Sequence, residues 1–221
     1  MNSSMSQPAF DEYHYGDAAA AHTSEYLWSN VLQLLQRWVP PDDRRVFELG
    51  CGNGAFAARM TAKGFTVTAV DPSTAGIEIA RREYPGIRFE SGSAYNSLGE
   101  GFGTFPVVVS LEVIEHVYAP RVFARCIYDL LEPGGVAILT TPYHGYVKNL
   151  AMAITGRLDG HFTALWDHGH IKFWSIKTLS NLLTEIGFLG VEFVRVGRVP
   201  LLAKSMIATC RRPLAGIVPS P

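Results

Sequence analysis

Cysteine is scarce in this chain of 221 residues. The three present, Cys51, Cys126 and Cys210, are an odd number at unrelated spacings. That excludes a disulfide framework and a zinc-type cysteine spacing, and it fits a reducing compartment. Charge is also low: 18% of residues are charged and the net charge is −1, which excludes a broad nucleic-acid footprint. No apolar run reaches the ~20 residues needed to span a bilayer. Met1-Asn2-Ser3-Ser4-Met5-Ser6-Gln7 lacks the basic and apolar regions of a signal peptide. No internal repeat stands out at solenoid periods. What is plentiful is core-forming material, 48% hydrophobic residues, enough for one packed domain.

The chain is organised around Val46-Phe47-Glu48-Leu49-Gly50-Cys51-Gly52-Asn53-Gly54-Ala55-Phe56. An apolar strand end runs into a glycine-rich turn, and the turn into a helix whose free N–H groups face whatever sits there. The next apolar run, 65–70, ends in Asp71, which is 21 residues after Gly50. That is close to the ~20 expected of a carboxylate that grips a ribose in a doubly wound fold. A nucleoside-containing cofactor follows, and the glycine pattern alone leaves a dinucleotide open. Glu48 points the other way, because a carboxylate two residues before Gly50 would repel a pyrophosphate and attract a cationic amino group.

The remaining order is a rhythm of strands and helices. A leading helix carries Leu27, Val31, Leu34, Leu35 and Trp38 on one face and stops at Pro40-Pro41. Further helices are expected over 54–63 and 73–83, and a short strand over 87–90. Phe105-Pro106 opens a buried parallel strand, Val107-Val108-Val109-Ser110-Leu111. The helix after it turns Val122, Phe123, Cys126, Ile127, Leu130 and Leu131 inward. Strand 136–141 follows Glu132-Pro133-Gly134-Gly135. Ser175 caps a late helix, and runs at 190–197 and 203–210 form an antiparallel hairpin at the sheet edge. The fold class is therefore α/β: a doubly wound, mostly parallel, Rossmann-like sheet with helices on both faces.

Glu48-x-Gly50-x-Gly52-x-Gly54, Asp71 and Leu131-x-Pro133-Gly134-Gly135 together resemble the class I S-adenosylmethionine (SAM) dependent methyltransferases of the type 11/12 group. The resemblance covers about 45–142 firmly and 170–210 loosely. It implies a seven-stranded sheet with an antiparallel last strand. It also implies an arm and leading helix over 1–44, a methyltransferase domain over 45–210 and a tail over 211–221. Carried over, Glu48 holds the amino group of SAM and Asp71 the ribose hydroxyls. The backbone at Gly50, Cys51, Gly52 and Gly54 approaches the methionine and ribose. Ser93 and Ala94 lie by the adenine, Ser93 standing where the family commonly has Asp, and Leu111 packs on the cofactor.

Ser110-Leu111-Glu112-Val113-Ile114-Glu115-His116-Val117 further resembles the ubiquinone-biosynthesis O-methyltransferases, with their Glu-x-x-Glu-His. That implies a Mg²⁺ ligand set of Glu112, Glu115 and His116 that orients a catechol. The acceptor side falls in an insertion over 142–174, rich in aromatics and histidines: Tyr143, His144, Tyr146, Phe162, Trp166, His168, His170, Phe173 and Trp174. His144 and His170 are the candidate bases, whereas His22 and His161 carry no signal. Tyr146 to Ile154 suits a short helix with Val147, Leu150, Ala151 and Ile154 exposed. With Lys148 and Arg157 beside it, 143–166 is a candidate peripheral membrane contact. The expectation is O-methylation of a phenol or catechol, a quinone precursor among them, by a cytoplasmic enzyme that touches the inner membrane surface. The competing readings are a nicotinamide-dependent oxidoreductase and a non-catalytic SAM-binding protein. Tyr13-His14-Tyr15 is the one distinctive piece of the N-terminal arm.

Overall fold

The computed structural model describes residues 24–162, 164–166 and 169–216. Tyr13-His14-Tyr15, His22 and His168 lie outside them. The chain runs α1 (Ser24–Trp38), β1 (Arg45–Leu49), α2 (Ala55–Thr61), β2 (Thr66–Asp71), α3 (Thr74–Glu83) and β3 (Arg88–Ser91). It continues through α4 (Leu98–Phe102), β4 (Phe105–Leu111), α5 (Pro120–Leu130), β5 (Leu131–Pro142), α6 (Tyr146–Ile154) and α7 (Leu158–Phe162). It closes with α8 (Ile176–Ile186), β6 (Leu189–Val196) and β7 (Ser205–Arg211).

Among the described residues the sheet has seven strands in the order β3-β2-β1-β4-β5-β7-β6. The first five are parallel, and β7 runs antiparallel to both β5 and β6. The expected hairpin is present, with β7 inserted beside β5 so that β6 forms the edge.

Alternation along each strand divides the core into two layers. Val46, Val107, Val109, Val136, Ile138 and Ile207 face α1, α2 and α3. Phe47, Val108, Ala137, Leu139 and Met206 face α5 and α8. Each large side chain fully buried here contributes roughly 1.5–3 kcal/mol. Both faces of β4 are covered, so its sequence is one continuous apolar run rather than an alternating one.

Several expectations shift. Proline lacks an N–H, and the β4–β5 register breaks between Phe105 and Val107, around Pro106. Val122 is exposed at 47%, and α5 turns Phe123, Ala124, Cys126, Ile127 and Leu130 inward instead. Leu131 already belongs to β5, whose extended backbone begins five residues before the expected start at Val136. Two five-residue helices, α4 and α7, were not foreseen.

Candidate functional site

The strand order reverses between β1 and β4, and in a doubly wound sheet ligands bind at the carboxyl ends of the strands at that point. After β1 the Gly50 N–H donates to the Val70 carbonyl at 2.7 Å and the Cys51 N–H to the same oxygen at 3.2 Å. The chain thus bends across the end of β2. Gly50 and Gly54 hold φ of +85° and +79°. A Cβ on Gly50 would strike Val113, and one on Gly54 would sit 2.7 Å from Phe89 Cζ and 2.8 Å from Ala80 Cβ. Glycine is required here by packing against protein, in addition to any approach to a ligand.

Two carboxylates sit at this turn. Asp71 accepts from the Gly52 N–H at 2.7 Å through Oδ2 and from the Ser73 N–H at 2.9 Å through Oδ1. Burial raises its pKa, and those two N–H groups oppose the rise. Each oxygen keeps further acceptor capacity. Glu48 is 2% exposed, and its Oε2 is buried with no hydrogen-bond partner. Burial, with the Asp71 charge adding to it, pushes Glu48 up to about 8. A buried carboxylate left without a partner is costly, and a cation would complete it. The Cys51 thiol is raised by burial and by both carboxylates, which keeps it protonated. Ser110 ties the floor together by donating to the Leu49 carbonyl at 2.6 Å. The Ser93 hydroxyl accepts from the Tyr95 N–H at 3.3 Å and keeps its proton for another acceptor. Ala94 and Leu111 are half-buried against the core at the same end of the sheet.

The segment after β4 forms the opposite wall. Glu112 holds φ +54°, the one positive φ outside glycine among the described residues. Its N–H donates to both the carbonyl and the hydroxyl of Thr140, at 3.2 and 3.0 Å. The Thr140 and Ser205 hydroxyls face its carboxyl and oppose the rise in its pKa, and Oε1 is buried without a partner. Three residues on, Glu115 accepts from the Thr141 hydroxyl at 3.0 Å through Oε2. Burial raises both carboxyls, and the Glu112 charge raises Glu115 further.

The insertion lies against this wall. The Ile171 and Lys172 N–H groups both donate to the Glu115 carbonyl at 2.9 Å, and Trp174 Nε1 donates to the Ile114 carbonyl at 3.2 Å. His170 is thereby brought beside Glu115 and His116, while Glu112 turns away toward Thr140 and Ser205. His144 packs with His161, Phe162 and Phe173 at ring separations of 5.1–6.0 Å. His161, silent in the sequence, belongs to this cluster. Burial lowers His144 and His170 to about 4 each, with the Lys148 charge acting on the first and His116 on the second.

Sequence reading missed Tyr26, whose hydroxyl meets Ser205 Oγ at 3.0 Å, and missed Ser205 itself. The polar pair Thr140-Thr141 at the end of a buried strand was the available signal for that wall. Along α6 no residue is buried; Tyr146 is 94% and Ile154 77% exposed. No described helix is long and apolar enough to cross a membrane.

Sheet order, glycine turn and paired carboxylates define a class I SAM-dependent methyltransferase fold. The chain belongs to the family described as a methyltransferase domain, whose model matches residues 19–192. That decides between the sulfonium cofactor and a dinucleotide. The chain is 40% identical over 121 residues to the ubiquinone biosynthesis O-methyltransferase of Caulobacter sp. (strain K31), covering 53% of this chain and 48% of that protein. It is 31% identical over 158 residues to the protein of the same name from Dinoroseobacter shibae, covering 67% and 61%. The match thus spans about half the length of the first of these relatives. Among solved structures, an O-methyltransferase family protein from Burkholderia thailandensis superposes with a TM-score of 0.65 at 16% identity, over 86% of this chain and 57% of that one. A SAM-dependent methyltransferase from Mesorhizobium loti superposes with 0.60 at 17% identity, over 83% and 96%. At those identities the likeness speaks for the fold alone.

Proposed function

We propose that this methyltransferase acts on a hydroxyl of a small phenol or catechol, a quinone precursor among the candidates. The observation that carries this is the ring cluster of His144, His161, Phe162 and Phe173, held in the same insertion that pins to the wall formed by Glu112 and Glu115. The names of the relatives, at 40% and 31% identity, support the same acceptor class.

SAM, when bound, supplies a methyl group already activated on a sulfonium. The protein's part is placement and proton removal. In this reading Glu48 Oε2 takes the cofactor's ammonium, and Asp71 uses its remaining lone pairs for the ribose hydroxyls. The backbone at Gly50, Cys51, Gly52 and Gly54 forms the floor. Ser93 and Ala94 lie by the adenine, and Leu111 packs on the cofactor beside β4. The buried, partnerless Oε2 of Glu48 and the acceptor capacity of Asp71 fit such a group.

His144 and His170, lowered to about 4, are neutral at pH 7 and weak as bases. Glu112 is the stronger candidate. Its carboxyl is raised by burial, the Thr140 and Ser205 hydroxyls stand beside it, and Oε1 is left to receive the acceptor's proton. Mg²⁺ favours oxygen ligands, and the donor group assembled here, two imidazoles and one carboxylate, does not suit it. The exposed apolar residues of α6, flanked by Arg157, support a peripheral lipid contact through 143–166.

The test is transfer of radiolabelled methyl from SAM to dihydroxyaromatics with and without a polyprenyl tail. Transfer to a catechol is expected, and faster transfer to tailed acceptors in vesicles than in buffer. No transfer to any member, from protein shown to bind S-adenosylhomocysteine, would overturn the acceptor class.

A further inference from the structure

We propose that Glu115, His116 and His170 hold a divalent transition ion of the zinc class, which fastens the insertion to the turn after β4. The ligand atoms come from two stretches more than fifty residues apart and all lie within 4.8 Å of one another. Tetrahedral donors ~2.0–2.1 Å from zinc stand roughly 3.4 Å from each other, so the group closes by about an ångström on loading.

The second observation is Glu115 itself. Its side chain is 1% exposed, and Oε1 is buried with no hydrogen-bond partner, 4.0 Å from His170 Nε2. Its other oxygen is already fixed by Thr141, so the carboxylate has one orientation and one oxygen to give. His170 is equally well placed, because the two residues after it are hydrogen-bonded to the Glu115 carbonyl. The His116 and His170 rings lie 4.9 Å apart, edge to face.

The donor chemistry selects the ion. Two imidazole nitrogens and one carboxylate oxygen form a set used for zinc and other first-row ions, whereas Mg²⁺ takes oxygen and retains water. One coordination position stays open in a tetrahedral site of three protein ligands. The inference is independent of the acceptor proposed above. Failure of methyl transfer would leave it standing, and failure of metal binding would leave the acceptor standing.

The test uses the whole chain without a polyhistidine tag, stripped by chelation and titrated calorimetrically with Zn²⁺ and separately with Mg²⁺. One equivalent of Zn²⁺ should bind, at least about 100-fold more tightly than Mg²⁺. Co²⁺ should give the visible absorption of a nitrogen-liganded site. His170→Ala and Glu115→Gln should each weaken Zn²⁺ by about 100-fold or more while still binding S-adenosylhomocysteine, which reports that they fold. His144→Ala, an imidazole outside the group, should keep wild-type Zn²⁺ affinity. Hydrogen exchange across 169–174 should slow on loading in the wild type alone. Equal affinity for Mg²⁺, no binding of Zn²⁺, or binding unaltered by His170→Ala would each overturn the proposal. Should Glu115→Gln fail to fold, His170→Ala decides alone, since His170 is only partly buried.

Discussion

Cofactor binding should release a proton, and Glu48 is the group that gives it up. In the free protein this carboxyl is raised to about 8 by burial and by Asp71, so at pH 7 only about one-tenth of molecules carry it ionised. Pairing with an ammonium requires the ionised form. One pH unit below the pKa costs about 1.4 kcal/mol, or tenfold in affinity, and two units cost about a hundredfold. The ligand's own amino group, held protonated by the carboxylate beside it above the ~7.7–8.0 of a peptide terminus, titrates on the alkaline side, so affinity falls again above pH 8. The assay is calorimetry with S-adenosylhomocysteine from pH 6 to 9 in two buffers of different ionisation enthalpy. About nine-tenths of a proton should be released per molecule bound at pH 7. Glu48→Gln should weaken binding at pH 8 and abolish both the proton release and the acid limb. The same substitution should stabilise the unliganded protein. The folded pKa lies above the usual 4.5, so stability from the neutral carboxyl is complete below pH 4.5 and lost as pH rises toward 8. Affinity flat from pH 6 to 8 in the wild type, with no buffer dependence of the heat, would refute this reasoning.

Gly54→Ala forces a side chain into φ +79° and against Phe89 and Ala80, and should cost upward of about 2 kcal/mol in urea unfolding. A change under about 0.5 kcal/mol would show that the turn relaxes freely. Glu112→Gln should lower kcat by about 10²-fold or more while leaving S-adenosylhomocysteine affinity within a few-fold; a kcat within twofold of wild type would remove Glu112 as the base. Ser175 accepts from the Thr178 N–H at 3.2 Å in a reciprocal capping box, so Ser175→Ala should cost about 1 kcal/mol, read as a lowered Tm.

The parallel half of the fold was legible because its signals are local. A strand covered on both faces is one apolar run, as in Val107–Leu111, and the turns carry glycine where φ is positive. The short helices α4 and α7 left no periodicity, since five residues make little more than one turn and owe their form to tertiary packing. Long-range partners were invisible for a different reason. Nothing local links Tyr26 to Ser205, 179 residues away, or His170 to Glu115. Glu112 and Glu115 look equivalent in Glu-x-x-Glu-His. The positive φ at Glu112 sends its carboxylate toward Thr140 and Ser205, while Glu115 faces Thr141 and His170.

One arrangement joins the two halves of the site. Glu48, Asp71, Glu112 and Glu115 cluster at the carboxyl ends of β1, β2 and β4, and burial raises every one of them. Four buried carboxyls cannot all ionise without counter-charge, so the unliganded protein is less stable at neutral pH than its core would allow. Cationic ligands offset that cost: an ammonium at Glu48 in the methyl-donor half, a divalent ion at Glu115 in the acceptor half. Each should therefore raise Tm by more than its contacts alone would give, and the two increments should add, because the carboxylates they neutralise lie on separate walls.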